Sequence, residues 1–396
     1  MTESLLDFYQ RNQISPVRQD IRDLRAHLAR RAALYRHLGI LPAFVHGRSV
    51  LEIGPGSGFN SIHTATLQPS RYLMLEGNPR GVEDITRLFS GFPELSGRVE
   101  VICGRVEDYT PVERFEFVFC EGMLALAGVP EPERLLRKVA ECVASEGVLV
   151  ITCIDAVSDL AETLRRFVAQ LLIDPGESLS QKVDKLLPVF TPHLSTLSAM
   201  SRRYDDWIVD NLINPASIGP LLPIYKAVEV LDDEFDVFGS SPKFLTDWRW
   251  YKDITSARGD FNQIATWNYW ANLHNLLDYR QIAAPRDPER NRALYETCAV
   301  LRGTVHGFEC DRDPAAVGRI VGVLDEVVEN VRAFSAESSE ALGELREILS
   351  RPSLDVTAFA AAPRFSSLFG RGQQYLSFNR RVSPAMPPGG KGEEPQ

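Results

Sequence analysis

The sequence predicts an α/β fold: a mostly parallel sheet, preceded by a helical segment and enlarged by helical insertions that form a cap. Three observations carry this. Between Arg48 and Asp155 short apolar runs alternate with helical patterns, the first run passes directly into a turn with glycines at alternate positions, and after Asp155 long helical patterns take over. Strand and helix alternating at this spacing give parallel strands joined by right-handed crossovers.

Residues 15–40 carry Ile21, Leu24, Leu28, Leu34 and Leu38 at near-helical spacing among many arginines, which predicts one or two amphipathic helices. Pro42 and Gly47 end them. Ser49–Ile53, Tyr72–Leu75, Val99–Ile102, Phe115–Phe119 and Val148–Cys153 read as strands, with helices over 58–68, 79–90 and 131–144. Further helices are predicted over 156–173, 178–187, 197–213, 263–279, 288–302 and 314–349. Two late pieces, Phe235–Gly239 and Gln374–Asn379, read as strands that return to the sheet edge. The tail from Ser383, rich in Pro and Gly, has too little apolar surface to order itself.

With 396 residues and 44% apolar content, the chain is long enough for a sizeable core. A net charge of -10 opposes phosphate backbones and anionic lipid, so neither nucleic acid nor membrane is the expected partner. No signal or transit peptide is readable at the N-terminus, and no run approaches the roughly 18 apolar residues of a membrane-spanning helix. The six cysteines are scattered without a CxxC pair, which fits reduced thiols and a cytoplasmic location.

The most informative segment is Ser49-Val-Leu-Glu-Ile-Gly-Pro-Gly-Ser-Gly-Phe-Asn60, a strand running into Glu52-x-Gly54-x-Gly56-x-Gly58 and then a helix. Glycines there let the backbone turn sharply and a ligand approach without meeting a Cβ atom. The next strand ends at Glu76, an acid placed to meet the two hydroxyls of a ribose at the switch point of an open sheet. Nicotinamide-dependent oxidoreductases share that acid, but their turn reads GxGxxG.

At these residues the sequence resembles the class I S-adenosylmethionine (SAM)-dependent methyltransferases, over residues 48–155. The resemblance implies a Rossmann-like sheet with SAM as cofactor and S-adenosylhomocysteine as product. It implies that Glu52, Gly54, Gly56 and Gly58 lie against the methionine portion, that Glu76 binds the ribose, and that Val106 and Glu107 line the adenine. Many family members have Gly-Asp-Ala where this chain has Gly104-Arg105-Val106-Glu107-Asp108, so Glu107 and Asp108 equally read as caps of a following turn. The expected organisation is an N-terminal helical lid (1–47), the SAM-binding core (48–155), a mainly helical substrate cap (156–382) and a disordered tail (383–396).

The end of the fourth strand, Cys120-Glu121-Gly122-Met123, is expected near the transferable methyl group. Cys120 is a cofactor contact in this reading. Glu121 is a catalytic candidate that orients the cofactor, accepts a proton or stabilises a cationic amine, with a purely structural carboxylate as the alternative. An Asn-Pro-Pro-Tyr signature is absent, and no compact carboxylate cluster suggests a metal.

Four of the five tryptophans fall between 248 and 270. Trp250, Tyr251, Trp267 and Trp270 are candidates for the wall of an acceptor pocket, or else form the aromatic core of the cap. His274, four residues after Trp270 and seven after Trp267, is the second catalytic candidate; a hydrogen-bonded structural histidine is the alternative. Tyr9 and Arg18, upstream of the first strand, are candidates to close the site as a lid.

The function expected is methyl transfer to an oxygen, nitrogen or sulfur of a small-molecule acceptor in an enclosed pocket. A protein methyltransferase, a non-catalytic SAM-binding protein and, less favoured, an NAD-dependent oxidoreductase are the alternatives. A homodimer stays open.

Overall fold

The computed structural model describes residues 5–15, 18–124, 131–215, 219–256 and 259–382. Ahead of the sheet lie helices α1 (Leu5–Asn12) and α2 (Leu24–His37). Then come β1 (Ser49–Ile53), α3 (Ser61–Thr66), β2 (Arg71–Glu76), α4 (Pro79–Ser90), α5 (Pro93–Ser96), β3 (Val99–Cys103), β4 (Phe115–Cys120), α6 (Pro132–Ala140) and β5 (Val143–Cys153). The five strands occupy the predicted positions. Their ends extend further because each terminal residue pairs with a neighbouring strand, as Glu76 does with Cys103.

Among the described residues one sheet has the order β3-β2-β1-β4-β5-β7-β6, with β6 (Phe235–Ser241) and β7 (Gln374–Arg380) at one edge as expected. Strands β1 to β5 pair in parallel, whereas β7 lies antiparallel to both β5 and β6. The step from β1 to β4 reverses the strand order, so the crevice beside β1 is the switch point where open sheets bind ligands.

Side-chain alternation divides the core. Val50, Tyr72, Met74, Phe117, Phe119 and Val150 pack with Tyr35 of α2, with Leu38 at its C-cap, and with Ile85 and Phe89 of α4. Leu51, Ile53, Leu73, Val118, Leu149 and Ile151 meet α6 and the interior of the later helices on the other face. The period of two along each strand produces these opposite faces.

The later region contains α7 (Leu160–Leu172), α8 (Leu179–Leu194), α9 (Tyr204–Ile208), α10 (Ile224–Leu231), α11 (Phe261–Asn272), α12 (Pro288–Asp311), α13 (Ala315–Arg332), α14 (Ala336–Leu349) and α15 (Val356–Ala360). Several boundaries differ from expectation. The helix expected to reach 144 stops at Ala140, because Val143 pairs with Phe115 and begins β5. α8 continues through Pro188 and Pro192 to Leu194, past the expected end at 187; its last turns bury Val189, Phe190 and Leu194, and that packing outweighs the missing amide hydrogen bonds. The pattern over 314–349 is two helices, since Ser335 caps α14 by accepting from Ser338 N–H. α9 passes into a π-helical turn over Val209–Ile213. The tail from Ser383 lies outside the described residues.

Candidate functional site

The turn after β1 is built on backbone that only glycine adopts freely. Gly54, Gly56 and Gly58 have φ of 69°, 60° and 77°. Gly54 N–H still donates to Leu75 O at 2.9 Å, so the β1–β2 ladder runs into the turn. Glu76, 7% exposed at the tip of β2, accepts from Gly56 N–H at 2.8 Å and Asn78 N–H at 2.7 Å. Burial raises its carboxyl pKa against the pull of those amides. Close packing requires a fourth small residue: a Cβ on Gly81, in the first turn of α4, would stand 2.9 Å from Gly56 O. Gly54, Gly56, Gly58 and Glu76 therefore form one unit at the switch point.

Glu121, one residue past β4, is held from three other elements. Arg31 of α2 donates through both terminal nitrogens, at 3.0 and 2.8 Å, Asn60 before α3 through Nδ2 at 3.2 Å, and Tyr375 of β7 through its hydroxyl at 2.5 Å. A carboxylate whose oxygens are already occupied by four donors is fixed in place, which makes Glu121 a positioning group more readily than a general base. Arg31, Asn60 and Tyr375 carried no recognisable sequence signal, since their meeting point exists only in the fold. Asn78 did carry one: Asn before Pro79 is a helix N-cap, and its Oδ1 accepts from Arg80 N–H.

The other predicted cofactor residues are distributed differently. Glu52 shares its sheet face with Val50, so its side chain turns away from the turn's rim into the layer under α2 and α3. It is 3% exposed there and accepts a short hydrogen bond from the Tyr72 hydroxyl. Burial pushes its carboxyl up to about 7. Val106 is buried in the core with its backbone following β3, and Glu107 is exposed, near Arg105 at 3.3 Å. Cys120 is fully buried, so its thiol lies in the core while the chain beyond it leads to Glu121.

The N-terminal segment crosses the site. Leu6 packs over Gly77, Asn78 Nδ2 donates to Ile14 O at 3.0 Å, and the Ser15 and Ser57 hydroxyls are 3.2 Å apart. Tyr9 donates to Asp210 in the π-helical turn at 2.7 Å. Arg18 is exposed and neighbours the Asp206 carboxylate, beside the turn but outside the contacts with Ser57 and Asn78.

The cap aromatics do not share one face. Trp250, Tyr251 and Trp267 are 58%, 71% and 59% exposed, whereas Trp270 is buried against Tyr225, Tyr269 and Tyr295. The proposed wall of Trp267, Trp270 and His274 is thereby corrected: α11 ends at Asn272, and a 3₁₀ turn over Leu273–Leu276 rotates His274 off the helical register. His274 Nε2 lies 3.1 Å from Ala284 O and Nδ1 3.1 Å from Asn291 Nδ2, so both ring nitrogens have protein partners. Burial pushes its pKa down to about 4. His274 lines a small cleft with Asp278, Phe334 and Ser338, none of which belongs to the turn site. Among the described residues no group of three His, Cys, Asp or Glu is placed to hold a metal, and no helix is long and apolar enough to cross a membrane.

A sheet parallel over β1 to β5, with a left-handed glycine turn at its switch point and Glu76 at the tip of the next strand, places the protein in the α/β class whose ligands bind at the strands' carboxyl ends. Residues 50–147 match the methyltransferase domain family. The chain is 31% identical over 145 residues to a mitochondrial ubiquinone biosynthesis O-methyltransferase of Schizosaccharomyces pombe, covering 37% of this chain and 47% of that protein. It is 33% identical over 121 residues to ribosomal RNA small subunit methyltransferase G of Alkalilimnicola ehrlichii, covering 29% and 54%. The chain thus spans about half the length of the curated relatives it matches. Among solved structures, PKMT2 from Rickettsia typhi in complex with AdoHcy aligns at 13% identity over 61% of this chain and 49% of that one, with a TM-score of 0.41. The domain that contains the turn is a class I SAM-dependent methyltransferase domain, and SAM is the cofactor of that class.

Proposed function

We propose that the whole chain is a methyltransferase that moves the methyl group of SAM to an oxygen, nitrogen or sulfur atom of a small molecule. The observation that carries this is the turn and acid unit of Gly54, Gly56, Gly58 and Glu76 at the switch point, overlain by the strap from α1 to Ser15 and tied through it to the helical cap. The residues present fit the cofactor. The glycine turn admits an atom against the backbone, and each Glu76 oxygen that accepts one amide retains a lone pair for a ribose hydroxyl.

When bound, SAM supplies an electrophilic methyl group on a sulfonium. The protein's part is then placement: the turn fixes the cofactor, Glu121 at the end of β4 positions the reacting end, and the strap keeps water out. The Arg31–Glu121 pair speaks against Glu121 as the base, so acceptors needing little deprotonation are favoured.

The net charge of -10 and the extent of the later helical region support an enclosed small-molecule site over a nucleic-acid groove. The relatives divide on this point, one belonging to ubiquinone biosynthesis and two to ribosomal RNA modification. Transfer of labelled methyl from SAM into small-molecule and RNA fractions, with melting protection by SAM but not NAD, tests the proposal. Label appearing only in RNA would overturn the acceptor class, and protection by NAD alone would overturn the cofactor.

A further inference from the structure

The net charge hides an uneven distribution. Residues 22–48 hold six arginines and a single acid, Asp23, in a chain whose acids outnumber its bases by 53 to 43. Arg22, Arg31 and Arg48 pair with Asp20, Glu121 and Glu116, whereas Arg25, Arg30 and Arg36 form no ion pair among the described residues. The period of α2 sorts its side chains. His27, Arg31 and Tyr35 are buried against the sheet, while Arg25, Ala29, Ala32 and Arg36, at the spacing of one helical stripe, are exposed on the outer side.

That stripe ends at an apolar corner. Gly39, just past α2, has a left-handed φ of 71°, and the Phe238 ring of β6 lies so close that a Cβ on Gly39 would stand 2.3 Å from it. Phe238 is nevertheless 56% exposed. Leu41 and Phe44, three residues apart around the 3₁₀ turn Pro42–Phe44 and so on one side of it, are 62% and 45% exposed. His37 Nδ1 lies 3.2 Å from Ser241 Oγ, which brings the start of the loop after β6 beside the same corner. That loop carries the exposed Lys243, Trp248 and Trp250.

We infer that the outer stripe of α2, with Leu41, Phe44 and Phe238 at its end, docks on an anionic lipid bilayer. The arginines meet headgroup phosphates, and the apolar corner enters the boundary between headgroups and acyl chains. Charges more than about 8 Å apart are largely screened at physiological salt, so the acids elsewhere on the chain do not cancel this local excess. The excess replaces the expectation drawn from the net charge. A second copy of the chain would set the arginine stripe against itself, because a two-fold interface brings the same patch to both sides. A nucleic acid would satisfy the arginines and leave Leu41 and Phe44 in water. The inference is independent of the SAM reading, since none of these side chains belongs to the glycine turn.

Flotation of the full chain with lipid vesicles tests the surface. Binding is expected to vesicles of mixed phosphatidylcholine and phosphatidylglycerol but not to phosphatidylcholine alone, and is lost at about 0.5 M salt. Arg25→Gln combined with Arg36→Gln lowers the partition coefficient roughly 30-fold, each cation being worth about fivefold at an anionic surface. Leu41→Ser combined with Phe44→Ser lowers it by about tenfold or more. Melting curves check that each double variant is folded, and the arginine pair, exposed on one helix face, serves where the apolar pair does not fold. No binding to the anionic vesicles, equal binding to both compositions, or unchanged binding by the arginine variant overturns the inference. A dimer in sedimentation velocity that the Leu41 and Phe44 substitutions dissolve, or a single-stranded RNA probe that binds through Arg25 and Arg36 where vesicles do not, overturns it as well.

Discussion

The Tyr9 hydroxyl donates to Asp210 Oδ1 at 2.7 Å across a separation of 201 residues, joining the N-terminal helix to the π-helical turn of the later region. Burial keeps the phenol protonated far above its ordinary range, so it remains a donor. Five residues on, Ile14 and Ser15 touch Asn78 and Ser57 at the glycine turn. The segment is a strap tied to both the cofactor turn and the cap. Tyr9→Phe removes the cap tie at a cost of about 1 kcal/mol, and is expected to speed S-adenosylhomocysteine release several-fold in stopped-flow chase experiments. An unchanged release rate would show that the strap does not gate the site.

Glu76→Ala is expected to weaken SAM by about 1.5 to 3 kcal/mol, the range for hydrogen bonds to a charged group. It also frees the Gly56 and Asn78 amides, so a modest loss of melting temperature accompanies it. An unaltered dissociation constant would place the ribose elsewhere.

Glu52 makes stability depend on pH. Its folded pKa of about 7 lies above the ordinary carboxyl value, because burial outweighs the help of Tyr72 and Arg31, while the Glu121 charge adds to the rise. The folded state therefore holds the proton where the unfolded state has lost it. This contribution is fully present below the ordinary carboxyl pKa and is lost as pH rises through about 7. Glu52→Gln should gain up to about 3 kcal/mol over wild type between pH 5 and pH 8 in urea titrations. An equal difference at both pH values would refute the assignment.

His274→Ala is expected to act on stability. Its two nitrogens are committed to Ala284 O and Asn291, and the ring packs on Phe334. The truncation should lower the melting temperature by an amount equivalent to about 2 to 4 kcal/mol, with S-adenosylhomocysteine affinity of the folded fraction unchanged. A fully stable variant that has lost turnover would restore the catalytic role.

Because its folded pKa lies near 4, below the ordinary imidazole value, neutral His274 contributes stability that declines as pH falls from about 6.5 toward 4. The wild type should show this acid sensitivity, and the His274→Ala variant should show less of it in melting curves at pH 7 and pH 5.

What could be read along the chain are the parts whose physics is local. The strands from Ser49 to Cys153 announce themselves by apolar runs, the turn by three glycines that the left-handed backbone demands, and Glu76 by its place at a strand end. The rest depends on contacts between distant segments. Arg31, Asn60, Glu121 and Tyr375 stand far apart along the chain and meet because β7 inserts beside β5 and α2 covers the sheet. The family resemblance placed Glu52 against the cofactor, yet a strand's period of two sends its side chain to the buried face. Helical spacing likewise grouped Trp267, Trp270 and His274, but packing buries only Trp270 of the two tryptophans, and a 3₁₀ turn after α11 carries His274 off their helix. Spacing reports which residues can share a face while one element continues; where an element ends, and what packs over it, is settled by contacts between distant segments.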